Sequence, residues 1–239
     1  MSPRPAGLKD IQAITFDCYG TLIDWEGGAK QSLRALLQKR RPRDTGLFRA
    51  EFLDELFRAW ERAQWTRIQQ GYALYRQIAA ESLEQVAAEH ELPLTGADAR
   101  AFADSIATWQ PFPDTAAALA KLKQKVRLGL ISNIDDDILS ASVARLEVEF
   151  DLLLTAEQAR AYKPSPLPFQ QALERLDLPP GASCARCLWV RIRHHHRQRT
   201  WIPDHPGAAA PEGVSARPGA GSDRGRPSRV GSNIRLAER

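Results

Sequence analysis

The sequence predicts an α/β fold: a parallel sheet covered by helices on both faces, with a helical domain inserted after its first strand. Three observations carry this reading. Short apolar runs alternate with stretches of helical periodicity, each run ends in small or polar residues, and a long helical block with no strand in it separates the first run from the second. A chain of 239 residues, 43% of them hydrophobic, can bury the core of one domain together with a smaller insertion.

The elements follow in order. Ile11 to Phe16 is apolar and rich in β-branched side chains and ends at Asp17-Cys18-Tyr19-Gly20-Thr21, as a buried strand entering a turn does. From Ala29 to Glu89 apolar residues recur at three- and four-residue steps, with Leu33, Leu36 and Leu37, then Phe52, Leu53, Leu56, Phe57 and Trp60, the pattern of successive amphipathic helices. Pro111-Phe112-Pro113-Asp114 interrupts the chain before a helix over Thr115 to Lys123. Val126 to Ile131, ended by Ser132-Asn133, and Phe150 to Leu154, ended by Thr155-Ala156-Glu157, are the second and third strands. A helix opened by Asp135-Asp136-Asp137 lies between them, and another, Pro166 to Leu176, follows Tyr162-Lys163-Pro164.

Composition narrows the function classes. No apolar run approaches the roughly 20 residues that cross a bilayer, and Met1-Ser2-Pro3-Arg4-Pro5 lacks the apolar stretch of a signal peptide. Three cysteines, Cys18, Cys184 and Cys187, are too few for a disulfide framework. A soluble cytoplasmic protein with no membrane partner is expected. Residues 1–180 hold 22 Lys and Arg against 25 Asp and Glu, a balance of −3, whereas the remainder holds 11 against 4, or +7. The basicity therefore belongs to the tail, and no nucleic-acid partner is expected of the body.

Ligands of open parallel sheets bind outside the carboxyl ends of the strands, so the turns at Asp17, Ser132 and Lys163 should converge on one crevice. Asp17 there can be a nucleophile or a turn residue. Gly20 permits an unusual backbone angle, and Thr21 can offer its hydroxyl to an anion. Pro164 and Pro166 stiffen the loop that carries Lys163 beside a strand end.

Together these segments resemble the haloacid dehalogenase superfamily of hydrolases. Ile14-Thr15-Phe16-Asp17-Cys18-Tyr19-Gly20-Thr21-Leu22 is similar to its first motif, Leu130-Ile131-Ser132-Asn133 to its second, and Tyr162-Lys163-Pro164-Ser165-Pro166 to its third. The resemblance spans roughly residues 10–180. It implies a Rossmann-like core from residues 1–22 and 111–180 and a helical cap over 23–110. It further implies that Asp17 attacks the substrate to form an ester that water later hydrolyses, that Lys163 balances and orients Asp17, and that Tyr19, Thr21, Ser132 and Asn133 bind a small anionic substrate. A homodimer is compatible with it.

Position 19 bears on the branch. The phosphatases of the superfamily carry a second Asp there, as general acid and magnesium site, whereas this chain has Tyr19. A halide leaving group needs no proton, and the Asp-x-Tyr-Gly-Thr form resembles the L-2-haloacid dehalogenases, which implies displacement next to a carboxylate with neither metal nor cofactor. Magnesium enters only with the alternative, a small-molecule phosphatase. The chain departs from the dehalogenases in having Phe169 where they have a Tyr, and Trp60-Glu61 where they have a Trp-Arg pair whose Arg clamps the halide. Arg58 or Arg62 could substitute for that Arg. Trp60, Trp65, Tyr72 and Tyr75 can wall an apolar pocket or fill a helical core. Asp135-Asp136-Asp137 reads as first-turn acids serving the N-terminus of their own helix rather than as a magnesium site.

Residues 181–239 do not fit. An acidic cluster after another apolar strand is expected beyond Leu178-Pro179-Pro180, but the chain continues through Cys184-Ala185-Arg186-Cys187, Leu188-Trp189-Val190-Arg191 and His194-His195-His196 into Pro-, Gly- and Arg-rich sequence, which reads as an irregular tail. The Cys-x-x-Cys and the histidines have the donor types of a zinc site without a turn or strand to frame them. A shifted reading frame accounts for more. Codons for Arg193-His194-His195-His196 read one base later can give Asp-Thr-Thr-Ile, and those for Arg199-Thr200-Trp201-Ile202-Pro203 can give Ala-Leu-Gly-Phe, both in keeping with the superfamily. The expectation is a one-base slip near the codons for Gly181, leaving a chain impaired in its fourth motif; an unshifted nucleotide sequence would rule it out.

Overall fold

The structure is a computed structural model that describes residues 11–178 and the backbone of 187–190. Its sheet has four parallel strands in the order β3-β2-β1-β4, with β1 at Ala13–Phe16, β2 at Arg127–Ser132, β3 at Leu152–Thr155 and β4 at Cys187–Val190. In β1 all of Ala13 to Phe16 are buried, as expected of a strand covered on both faces. Its alternate residues enter different cores. Ile14 and Phe16 join a large core with Leu128 and Leu130, while Ala13 joins Ile131, Leu152 and Leu154 in a smaller one.

β4 lies beyond the boundary drawn at residue 180. It pairs along β1, Ala13 opposite Cys187 and Phe16 opposite Val190, within the stretch read as an irregular tail. The pairing has a physical reason, since β1, buried on both faces, would otherwise leave the N–H and C=O groups of one edge without partners. The zinc-type histidines, the shifted-frame segments and the rest of the basic tail lie outside the described residues.

Between β1 and β2 the chain forms α1 (Trp25–Arg40), a 3-10 turn (Thr45–Phe48), α2 (Ala50–Ile68), α3 (Tyr75–Glu89), α4 (Gly96–Ser105) and a second 3-10 turn (Ile106–Thr108). α1 starts because the Asp24 carboxylate accepts the Gly27 amide, and it buries Ala29, Leu33 and Leu37 on one stripe. α4 opens on a capping box between Thr95 and Asp98. α2 packs on α1 and α3, and α3 on α4, which makes the insertion a helical bundle. The chain enters and leaves it through adjacent strands of backbone: Asp24 N–H donates to Gln110 O at 2.8 Å and Phe112 N–H to Leu22 O at 3.0 Å.

The rest covers the sheet. α5 (Thr115–Lys123) precedes β2, α6 (Asp136–Leu146) joins β2 to β3, and α7 (Ala156–Ala159) and α8 (Leu167–Arg175) follow β3. α8 lays Ala172 and Leu173 against the smaller core, where Phe169 also packs. Among the described residues, no helix is long and apolar enough to cross a membrane.

Candidate active site

The turn after β1 is held by its own backbone. Cys18 O accepts the amides of Leu22 at 2.7 Å and Ile23 at 3.1 Å, Gly20 N–H donates to Ile23 O at 2.9 Å, and Gly20 takes φ +81°, a left-handed angle that glycine adopts without steric cost. This compact turn lifts Asp17 out of the strand end. The neighbouring Cys18 is fully buried, and burial pushes its thiol well up from the usual range, so it stays protonated and is no rival nucleophile.

Lys163 reaches Asp17 from the other side of the sheet end. Its Nζ donates to Asp17 Oδ1 at 2.8 Å and to Ile131 O at 2.5 Å. Side-chain exposures of 15% for Lys163 and 22% for Asp17 describe a pair largely sheltered from water. A charge-assisted bond in such a place fixes the rotamer of the carboxylate.

The other expected residues divide. Thr21, buried at 4% exposure, has a hydroxyl with no hydrogen-bond partner among the described residues; a buried orphan hydroxyl is costly unless something fills its place. Ser132 is buried at the end of β2. The other two have side-chain groups engaged within the protein. Asn133 is bound at both ends of its amide to the Lys163 main chain, donating from Nδ2 to Lys163 O at 3.1 Å and accepting from Lys163 N–H at 2.7 Å; a primary amide matches the N–H and C=O of a single residue in this way. The Tyr19 hydroxyl turns to α6, sharing a 2.7 Å bond with Ser142 Oγ and donating to Ile138 O at 3.3 Å. Its half-buried ring remains as wall.

The cap contributes aromatic surface. Trp25 lies 5.7 Å from Tyr19, 5.1 Å from Trp60, 6.1 Å from Tyr75 and 5.0 Å from Trp109, ring centre to ring centre. Trp60 and Tyr75 are buried core, whereas Tyr72 lies against Tyr162, ring centres 5.8 Å apart and planes tilted by 30°. Trp25 and Trp109 escaped sequence reasoning, although each stands at a mouth of the insertion, directly after the first turn and before Pro111. Glu61 is half-buried, accepts the Trp25 indole N–H at 3.2 Å, and has its carboxyl pushed up from the usual range by burial, which outweighs that hydrogen bond. Arg58 and Arg62 point to solvent, so the expected substitution of either for a halide-clamping arginine finds no support in their placement.

Of the three acids that open α6, Asp137 serves its own helix as expected, accepting Ile138 N–H on Oδ1 at 2.9 Å, whereas Asp135 and Asp136 find partners elsewhere. Asp135 makes no capping bond to α6; its carboxylate accepts the amides of Tyr75 and Arg76 instead. The Asp136 amide is capped by Glu157 Oε2 at 2.8 Å, and Asp137 accepts from Arg76 Nη2 at 2.6 Å. For Asp135 and Asp136 tertiary partners take the place of the local first-turn pattern. Among the described residues, no group of three His, Cys, Asp or Glu side chains converges on one point where a metal could sit.

Comparison with known proteins agrees with this geometry. The profile of the haloacid dehalogenase-like hydrolases matches residues 11–190. The haloacetate dehalogenase H-2 of Moraxella sp. (strain B) is 29% identical over 174 residues, 68% of this chain and 70% of that one. A phosphoglycolate phosphatase of Photorhabdus laumondii is 29% identical over 173 residues, 67% of this chain and 65% of that one. The L-2-haloacid dehalogenase of Xanthobacter autotrophicus, solved with chloropropionic acid covalently bound, superposes with a TM-score of 0.60 at 25% identity over 75% of this chain and 69% of that one. With its profile matched from the first described strand to the last, this chain belongs to the haloacid dehalogenase-like hydrolases.

Proposed function

We propose that this hydrolase removes halide from small 2-haloacids through an ester on Asp17, without a metal or cofactor. The observation that carries the reading is the sheltered Lys163–Asp17 pair, in which Oδ1 is held by the ammonium and Oδ2 is left as the attacking atom. Oδ2 forms a bond to C2 of the haloacid as the carbon–halogen bond breaks and its electron pair leaves with the halide. Water then adds to the carboxyl carbon of the Asp17 ester, releasing the 2-hydroxyacid and a proton and restoring the carboxylate. The orphan Thr21 hydroxyl and the buried Ser132 are assigned to the substrate carboxylate, and Asn133 to holding Lys163 in place. Tyr19 contributes its ring.

The covalent chloropropionic acid adduct of the Xanthobacter autotrophicus enzyme supports the same chemistry here. The phosphatase relative favours a rival, magnesium-assisted phosphate hydrolysis, but that reaction asks for an acid two residues after the nucleophile. Tyr19 stands there with its hydroxyl bound to α6, and burial pushes that hydroxyl well above its usual range. The test is halide release from L-2-chloropropionate without added metal. Release by this chain that is lost in Asp17→Asn supports the reading, and magnesium-dependent turnover of an aryl phosphate with no halide release supports the rival.

A further inference from the structure

α3 begins without a cap of its own. The residue before it is Leu74, whose side chain cannot accept an N–H, so the first amides of the helix need partners from elsewhere. They find them across the boundary between cap and core. Asp135, only 3% exposed, accepts Tyr75 N–H on Oδ1 at 2.6 Å and Arg76 N–H on Oδ2 at 2.8 Å. The Arg76 side chain closes the contact, with Nη2 2.6 Å from Asp137 on the core and Nε 2.9 Å from Asp104 on α4. A second grip lies beside it, where the Tyr162 hydroxyl donates to Ala73 O at 2.8 Å and its ring lies 5.8 Å from that of Tyr72, centre to centre.

The core segments that make these grips are the ones that build the site. Asp135 follows two residues after Asn133, which holds the Lys163 main chain, and Tyr162 directly precedes Lys163. On the cap side, Tyr75 carries its ring to 6.1 Å from Trp25, the residue packed on Tyr19. A single short stretch of cap, residues 73–76, is thus tied to both polar loops of the crevice.

We propose that Asp135 is a positioning residue: by capping α3 from the core, it holds the helical insertion closed over Asp17 and sets the aromatic wall and the Lys163 loop in register. The proposal rests on the reading of Asp17 as the reacting group, but its structural half is independent of the substrate. Replacing one carboxylate oxygen by an amide N–H in Asp135→Asn sets two donors against each other, and a lost cap of this kind weakens the helix start by about a factor of ten.

The test combines amide hydrogen exchange with kinetics on the full chain. In Asp135→Asn, exchange in the first turns of α3 should accelerate about tenfold, with α5 and β2 unchanged, and kcat/KM for L-2-chloropropionate should fall about as much while Tm moves little. Unchanged exchange in α3, or equal acceleration through the sheet, overturns the proposal. Should Asp135→Asn not fold, Arg76→Pro, which deletes the N–H donor at a first-turn position that tolerates proline, is compared with Arg76→Ala, which keeps it. Faster α3 exchange in the proline variant alone upholds the cap, and equal exchange in the two refutes it. Absence of halide release from every form, with α3 exchange responding as described, counts against the haloacid reading and leaves the cap standing.

Discussion

Asp17 and Lys163 make contact across 146 positions of sequence, and each side chain has one role in the proposed chemistry. Asp17→Asn is expected to abolish halide release, since an amide oxygen cannot form the ester, and Lys163→Met to lower kcat about a hundredfold, the worth of a hydrogen bond to a charged group, with near-normal Tm in both. Asn133→Asp is a sharper probe than it looks on paper, because a carboxylate cannot donate to Lys163 O; turnover should fall while Asn133→Gln leaves substantial activity only if the loop can shift. Glu61 yields a prediction in pH. Burial raises its folded carboxyl above the unfolded value, so its ionised form is disfavoured in the fold, and stability falls as pH rises through the folded range. Glu61→Gln, which still accepts the Trp25 N–H, should therefore gain a few tenths of a kcal/mol near pH 8 and nothing near pH 3, below the unfolded value, where Glu61 is protonated folded or unfolded; denaturant midpoints at the two values decide it. The sequence pointed to Asp17, Ser132 and Asn133 because they stand at or just beyond strand ends, and to Lys163 because prolines flank its loop. What the sequence hid is which atoms are already engaged: the two-sided Asn133 contact and the Tyr19 bond to Ser142 are properties of packing.

At the scale of elements, two packing arguments oppose simple propensity. Gly28 lies within α1, where alanine is ordinarily better by about 1 kcal/mol, but a Cβ there would stand 2.4 Å from the Trp109 ring. Gly28→Ala should thus destabilise by about 1–3 kcal/mol, measured by urea unfolding, and stabilisation would show that the ring moves aside. The capping box of α4 carries a pH signature. Burial pushes the Asp98 carboxyl up, but hydrogen bonds from the Thr95 hydroxyl and amide and from Arg40 pull it down to about 2. Its contribution is complete above the unfolded value near pH 4 and disappears as pH falls towards 2. Asp98→Asn should cost about 1 kcal/mol at neutral pH and flatten that part of the acid unfolding curve. Helix α5 and strands β1 to β3 could be read from periodicity to within two residues or so at each end. β4 could not, because four residues set in aperiodic sequence gain their conformation from the distant β1, with Cys187 opposite Ala13.

In the whole molecule a sheet edge gathers the polar residues and a helical insertion sets its aromatic cluster beside them, with Trp25 packed on Tyr19 at the meeting point. The proposed covalent route through Asp17 can be followed in a single turnover of L-2-chloropropionate in ¹⁸O-water with enzyme in excess, with mass analysis of the peptide that contains Asp17. One labelled oxygen is expected in the Asp17 carboxylate and none in the 2-hydroxyacid released, because water attacks the enzyme's ester carbonyl. Label in the hydroxyacid with Asp17 unlabelled would contradict that route and require direct attack of water on the substrate.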